Sequence, residues 1–384
     1  MDIQLREVHT MQGLRAFVSF PLTLYRGNPY YVPAPVFDDL NTFRRDRNPA
    51  FETCEARYWL AYREGRVVGR VAGIHNPQHE ARWNEPYLRF GWLDFVDDPA
   101  VSAALLGAVE AWAREKGLRA VHGPLGFTDL DREGMLVEGF EELGTLATSY
   151  NYAYYPEHLE RLGYVKDVDW IEYEITVPAE PDPTIARIAS LALRRYRLRK
   201  LVVRTKREMM AYAPQALRMV NEEYRNLYGA TALSEKQIAT YVKQYFEFLD
   251  PAFTPAVLDE DNAMVAFGVA VPSLSRALQK ARGRLFPLGW AYLLRAMQRN
   301  DRADLYLVAV RSDYQGRGVN AVLMDMMNRV FVERGIRVVE SNPELESNTD
   351  VQGQWKYYEK RQYKRRRCYI KALGATESPA GRAP

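Results

Sequence analysis

The stretch from Asp304 to Phe331, DLYLVAVRSDYQGRGVNAVLMDMMNRVF, restricts the fold more than any other part of the 384-residue chain. Residues 305–310 are all apolar or aromatic, too short a run for a helix and suited to a strand buried on both faces. A loop with Gln315, Gly316 and Gly318 follows, and apolar positions then recur at helical spacing over about 318–333 until Gly335 stops them. A buried strand passing through a glycine loop into a helix is a β-α unit. The expected class is therefore α/β, of the α+β mixed-sheet kind, with helices flanking central sheets.

The pattern occurs twice. Residues 101–123, VSAALLGAVEAWAREKGLRAVHG, lie over 319–341, VNAVLMDMMNRVFVERGIRVVES, with helix length, stopping glycine and following strand in step. Residues 158–175, HLERLGYVKDVDWIEYEI, likewise lie over 357–373, YYEKRQYKRRRCYIKAL. This reads as an ancient duplication. The proline-rich VPAEPDPT at 177–184 separates the copies. Two domains are expected, 1–178 and 185–373, followed by a disordered tail over 374–384. In the first, strands are expected near 3–8, 58–62, 67–75, 88–96, 120–123 and 169–176, with helices near 11–26 and 101–116. In the second, strands are expected near 255–259, 263–271, 305–310, 336–341 and 367–373, with helices near 207–228, 234–249, 318–333 and 352–360.

A hydrophobic share of 47% is ample for two cores. The longest apolar run, 285–294, contains Pro287 and Gly289 and is too short to cross a bilayer. The N-terminus lacks the pattern of a secretory signal, which favours a cytoplasmic protein. Cys54 and Cys368 are too few for a disulfide framework or a thiolate metal site. His75 and His79 have helical spacing but Pro77 between them and no HExxH context, so no metal is expected.

A helix N-terminus presents unpaired N–H groups and the positive end of a dipole, so the loop before residue 319 is a natural anion seat. Gly316 and Gly318 let an anion approach the backbone, and Arg317 adds charge. In this context VAVRSDYQGRGVNAVLM resembles the acetyl-CoA loop of the GCN5-related N-acetyltransferase (GNAT) superfamily. That pattern is Gln or Arg, two residues, Gly, one residue, then Gly or Ala. Gln315, Gly316, Arg317 and Gly318 fit it; Asn320 stands where Gly or Ala is usual, and Ala321 comes one place late. YYEKRQY similarly resembles the family's late LYEKLGF-like segment, with Gln362 and Tyr363 replacing its Gly and Phe.

The resemblance implies two acetyltransferase-like domains in tandem, with acetyl-CoA or another acyl-CoA as co-substrate of the second. It implies direct attack by an amine in a ternary complex, with backbone N–H groups near Ala309 and Val310 for the oxyanion. Tyr358 would be the acid, since a phenol near pKa ~10 can hand a proton to a thiolate near ~8.5. Glu340, Asn342 and Glu344 stand where the acceptor would meet the thioester, and Glu340 is the expected base. In the first copy the loop reads FVDDPAVSAALL, where Asp97 and Asp98 would repel a pyrophosphate and Leu159 replaces the tyrosine. That copy is expected to be degenerate.

The acceptor is expected to be a small-molecule or peptide amine. The long loop 123–156 carries Asp129, Asp131, Glu133, Glu138, Glu141 and Glu142 among aromatics, a lining suited to an amine unless it is a structural connection. Between residues 275 and 300 there are six basic residues and no acid. Such a segment lies on anionic membranes, covers an acyl-chain groove, or buries an apolar face under a solvated basic one. The tract 356–371 holds eight basic residues against Glu359 alone. At the end of the CoA domain it is expected to meet solvent or cofactor phosphates rather than nucleic acid. Two rivals stay open: a tRNA-dependent aminoacyl or peptidyl transferase of similar tandem fold, and a non-catalytic acyl-CoA-binding module. Sequence leaves the oligomeric state unknown.

Overall fold

The computed structural model describes residues 2–203 and 205–374. The tail expected from 374 lies, beyond its first residue, outside the described residues.

The strands of the first half are β1 (Gln4–Glu7), β2 (Glu55–Arg63), β3 (Arg66–His75), β4 (Tyr87–Phe95), β5 (Ala120–Gly123), β6 (Met135–Glu138) and β7 (Val165–Thr176). The second half contributes β8 (Arg199–Leu201), β9 (Ala256–Leu258), β10 (Met264–Pro272), β11 (Arg302–Val310), β12 (Val338–Glu340), β13 (Glu344–Leu345) and β14 (Lys360–Ala372). All join one mixed sheet in the order β1-β2-β3-β4-β5-β14-β7-β12-β11-β10-β9-β8, with β6 beside β14 and β13 beside β7.

The duplication is visible in two parallel pairs. β4 and β5, linked through helix Pro99–Glu115, pair over Tyr87↔Ala120 to Arg89↔His122. β11 and β12, linked through helix Val319–Arg334, pair over Arg302↔Val338 to Asp304↔Glu340. Each ladder ends after three residues. Side chains alternate across the sheet, so the second half has two cores. Val257, Val265 and Ala266 pack with Val319 and Val322 on one face, and Leu258, Phe267 and Ala309 pack with Met209 and Leu217 on the other.

The sheet does not stop at the expected boundary of 178–185. β14, the last strand of the chain, enters the first half beside β5, while β7 leaves it to pair with β12; the two lie side by side over a long antiparallel register. The halves have exchanged their closing strands. Charge explains why this central pair holds, since β7 carries Asp169, Glu172 and Glu174 opposite the basic tract of β14. Arg366 pairs with Glu172, both almost wholly buried, and Arg366 also donates to the Ser149 carbonyl. Arg367 pairs with Asp169 at 2.8 Å, Lys371 with Glu110 at 2.8 Å, and Arg361 with Glu142 at 2.6 Å. Some of the tract faces solvent, Lys356, Lys360 and Arg361 being exposed, but much of its charge is paired inside the sheet.

Candidate active site

The site is built where β11 loses a partner. Beyond Asp304 no strand pairs the β12-facing edge of β11 among the described residues, and a β-bulge at Tyr306 bends the strand as it enters the gap. Ladder geometry tells which amides face the gap. Arg311 N–H bonds the Val265 carbonyl at 2.9 Å, and Ala309 stands opposite Phe267. Bond direction alternates along an antiparallel pair, so the Ala309 amide points to β10 while Val308 and Val310 present theirs to the open edge. Of the two residues expected near the oxyanion, only Val310 directs its N–H into the gap. The Tyr224 hydroxyl occupies Val308, donating to its carbonyl at 2.9 Å and accepting from its N–H at 3.3 Å.

The glycine loop closes one end. Gln315 Nε2 donates to the Val310 carbonyl at 2.9 Å, tying the loop to the strand. Gly316 has φ +68° and open space where a Cβ would stand; Gly318 has φ +78° and is the N-cap of helix Val319–Arg334. Helices starting after Thr10, Asn76, Asp98, Asp182 and Ser234 are capped by those side chains, whereas this one has no side-chain cap and no acid in its first turn. An uncapped N-terminus with glycine access fits a CoA pyrophosphate. Glu223, which accepts from Ser312 N–H at 3.0 Å, and Asp313, paired with Arg311 at 2.7 Å, are nearby carboxylates that would oppose it. Asn320 and Ala321 line the gap with Gln315, Gly316 and Gly318. Arg317 does not; its guanidinium lies over the Tyr196 and Tyr314 rings on the outside.

The gap opens into a cleft of about 2390 Å³, against roughly 300–1,000 Å³ for ordinary small-molecule sites. Leu305, Leu307, Met324 and Met327 line it near the loop, and Leu293, Leu294 and Met297 line it on helix Gly289–Gln298. The side contributed by the first half carries Asp129, Asp131 and Glu133. Burial raises Asp129 and Asp131 to about 6, and burial with the neighbouring Asp129 raises Glu133 further. Glu138 and Glu142, from the same loop, instead pair with Arg365 and Arg361.

Tyr358 lies where the resemblance puts it, in the cleft. Its hydroxyl accepts from Asn328 Nδ2 at 2.7 Å, and burial raises its pKa. Asn328 was missed by sequence reasoning, although an Asn on an apolar helix face was the available signal. Glu340 is not in the cleft. It is buried, accepts from the Tyr363 hydroxyl, and pairs with Arg302 at 3.2 Å and Lys364 at 3.8 Å. Its neighbour Asp304 is raised to about 8, by burial first and then by Glu340. Glu340 is thus held in an ionic cluster with Arg302, Lys364 and Tyr363, away from the cleft lining. Glu344 is placed to take a proton from an acceptor. It lines the cleft and receives Trp355 Nε1 at 2.8 Å on one oxygen, while the other is buried with the Ser341 side chain beside it. Burial raises it to about 7. Trp355 also packs edge-on against Tyr358, ring centres 6.1 Å apart, so one indole sets both groups.

The corresponding loop of the first half is filled by its own side chains. Asp98 caps the helix at Ala100 N–H, 2.8 Å, and pairs with Arg63. Asp97 meets His158, whose other ring nitrogen is 2.8 Å from Ser102 Oγ. This is the reverse of a nucleophilic triad, with the serine buried and the acid exposed. Among the described residues His122, Asp167 and Cys368 bring ligand atoms within 4.8 Å of one another, but the Tyr228 hydroxyl already bonds all three.

Residues 217–363, which span β9 to β13, the loop and Tyr358, match the acetyltransferase (GNAT) family. The tandem GNAT protein from the clavulanic acid biosynthesis pathway superposes with a TM-score of 0.56 at 12% identity, covering 98% of this chain and 100% of that one. The second half thus carries the GNAT family's pattern, and the chain as a whole has the fold of two such domains in tandem. Among curated proteins it is similar to protein YghO of Escherichia coli K12, 29% identical over 94% of this chain and 93% of that one. It is also similar to the bacterial ceramide synthase of Caulobacter vibrioides, 26% identical over 97% and 98%. No helix among the described residues is long and apolar enough to cross a membrane.

Proposed function

We propose that the protein moves a long-chain acyl group from acyl-CoA to the amine of a long-chain amino alcohol. The observation that carries this reading is the apolar lining of the cleft beyond the loop, where Leu305, Leu307, Leu293, Leu294 and Met297 offer room for an acyl chain. It replaces the expectation of acetyl transfer. The name of the Caulobacter relative, a ceramide synthase, agrees with it.

Acyl-CoA supplies an activated thioester. In this reading the loop 315–321, without Arg317, holds the pyrophosphate, and the Val310 N–H polarises the thioester carbonyl. Asp129 and Asp131 attract the acceptor's ammonium group from the opposite side. Glu344, half-ionised near pH 7, takes the amine proton, and Tyr358 gives a proton to the departing thiolate. Attack is direct; no side chain here is an activated nucleophile. The tRNA reading is weakened, because much of the basic tract it needs is paired within the sheet.

The test is N-acylation of a long-chain amino alcohol across acyl-CoA chain lengths, with products identified by mass spectrometry. Turnover rising steeply with chain length is expected; equal or better turnover with acetyl-CoA refutes the reading.

A further inference from the structure

Helices Ser275–Ala281 and Gly289–Gln298 form a hairpin between β10 and β11, anchored on the first half. Val36 N–H bonds the Gly283 carbonyl at 2.9 Å, and Gln279 Nε2 donates to the Pro29 carbonyl at 2.8 Å. The anchor is tight, since a Cβ on Gly283 would stand 2.4 Å from the Ala34 carbonyl.

The hairpin's outer surface is unlike the rest of the protein. Five large apolar side chains within nine residues are exposed: Phe286 by 80%, Leu288 by 59%, Leu294 by 53%, Trp290 by 49% and Tyr292 by 39%. Around them stand Arg276, Lys280, Arg282, Arg284, Arg295 and Arg299, all exposed, with no acid between residues 275 and 300. Among the described residues none of the six has a salt-bridge partner within 4.0 Å. This contrasts with β14, where Arg361, Lys364, Arg365, Arg366, Arg367 and Lys371 all have acidic partners. An apolar tip ringed by unpaired cations is complementary to an anionic bilayer: the tip enters the headgroup boundary and the ring meets lipid phosphates. The same helix reaches the cleft, which Trp290, Leu293, Leu294 and Met297 line from one side.

We propose that the 275–300 hairpin docks the protein on anionic membranes and sets the mouth of the cleft against the lipid surface. Docking stands on the hairpin alone; its use, delivering lipid substrates to the cleft, rests on the proposed function.

The test is flotation of the full-length protein with vesicles of phosphatidylglycerol and phosphatidylethanolamine, compared with phosphatidylcholine alone. The wild type is expected to float with the anionic vesicles and to be released by high salt. At about fivefold per basic residue near the surface, R282E/R284E should lower partition by at least ~30-fold. F286S/L288S should lower it at least ~10-fold by removing apolar burial. None of these four residues lines the cleft, so CoA release with detergent-dispersed substrates should stay near wild type in both variants. Loss of flotation with that activity retained supports docking. A wild type that fails to float, equal binding to neutral vesicles, or variants that float like wild type would overturn it. So would a wild-type dimer in sedimentation velocity that F286S/L288S dissociates without vesicle binding, since the patch would then meet a second copy. Flotation without acylation would leave docking intact and refute the lipid substrate.

Discussion

Replacing Glu344 by Gln should separate its cost to stability from its use in catalysis. Raising this carboxyl from 4.5 to about 7 costs its ionised form about 3 kcal/mol, at about 1.4 kcal/mol per pH unit. The cause is burial, only partly relieved by the Trp355 N–H. Below pH 4.5 the group is protonated in folded and unfolded chains alike and does not affect folding. As pH rises from 4.5 to 7 the unfolded chain ionises first, so the stability associated with the bound proton is lost, and above 7 the full cost is present. E344Q should therefore match the wild type in urea unfolding at pH 4 and exceed it by up to ~3 kcal/mol at pH 8. Catalysis should move the other way. Wild-type kcat, read as CoA release by a thiol reagent at saturating amine, should rise with pH to a plateau above about 7. E344Q should lose that rise and fall about 10²- to 10⁴-fold. A variant with wild-type kcat, or one whose pH profile keeps its inflection near 7, refutes Glu344 as the base.

Tyr358→Phe should lower kcat about 100-fold or more, and leave Asn328 Nδ2 without its acceptor at a stability cost of about 1 kcal/mol, read by thermal unfolding. Gly318→Ala should weaken acyl-CoA binding in calorimetry and cost about 1–2 kcal/mol, because φ +78° disfavours a side chain and the new Cβ would stand 3.0 Å from Ile188 Cγ2. Arg366→Met should cost about 3–5 kcal/mol in urea unfolding by leaving Glu172 buried and unpaired except for Lys364 at 3.8 Å, whereas Arg197→Ala, an exposed pair with Glu260, should change little.

The β11–loop–helix unit was legible because each part has a local cause: an apolar run for the strand, glycines for the loop, and a periodic stripe with Gly335 for the helix. Gly335 indeed ends the helix at φ +72°, with Ile336 N–H bonded back to Phe331 at 2.9 Å. β8 was lost inside an amphipathic, basic run that reads as helix, and a short charged edge strand has no apolar alternation to show. The exchange of β7 and β14 was not legible either. Periodicity marks a strand but not its neighbour, and only the acidic positions of β7 opposite the basic ones of β14 hinted at it. The error over the base follows from the same limit. Alternation puts Glu340 on one face of β12, but only the tertiary fold brings Arg302, Tyr363 and Lys364 onto its carboxylate, while Glu344 stays in the cleft.

The central claim is that loop and cleft together bind a long-chain acyl-CoA. Calorimetry of CoA, acetyl-CoA and palmitoyl-CoA against the wild type and Gly318→Glu tests it most directly. The account predicts affinity that rises from CoA to palmitoyl-CoA and is lost in the variant, which puts bulk and negative charge at the helix start. Equal affinity for acetyl- and palmitoyl-CoA, or binding untouched by the glutamate, would contradict it.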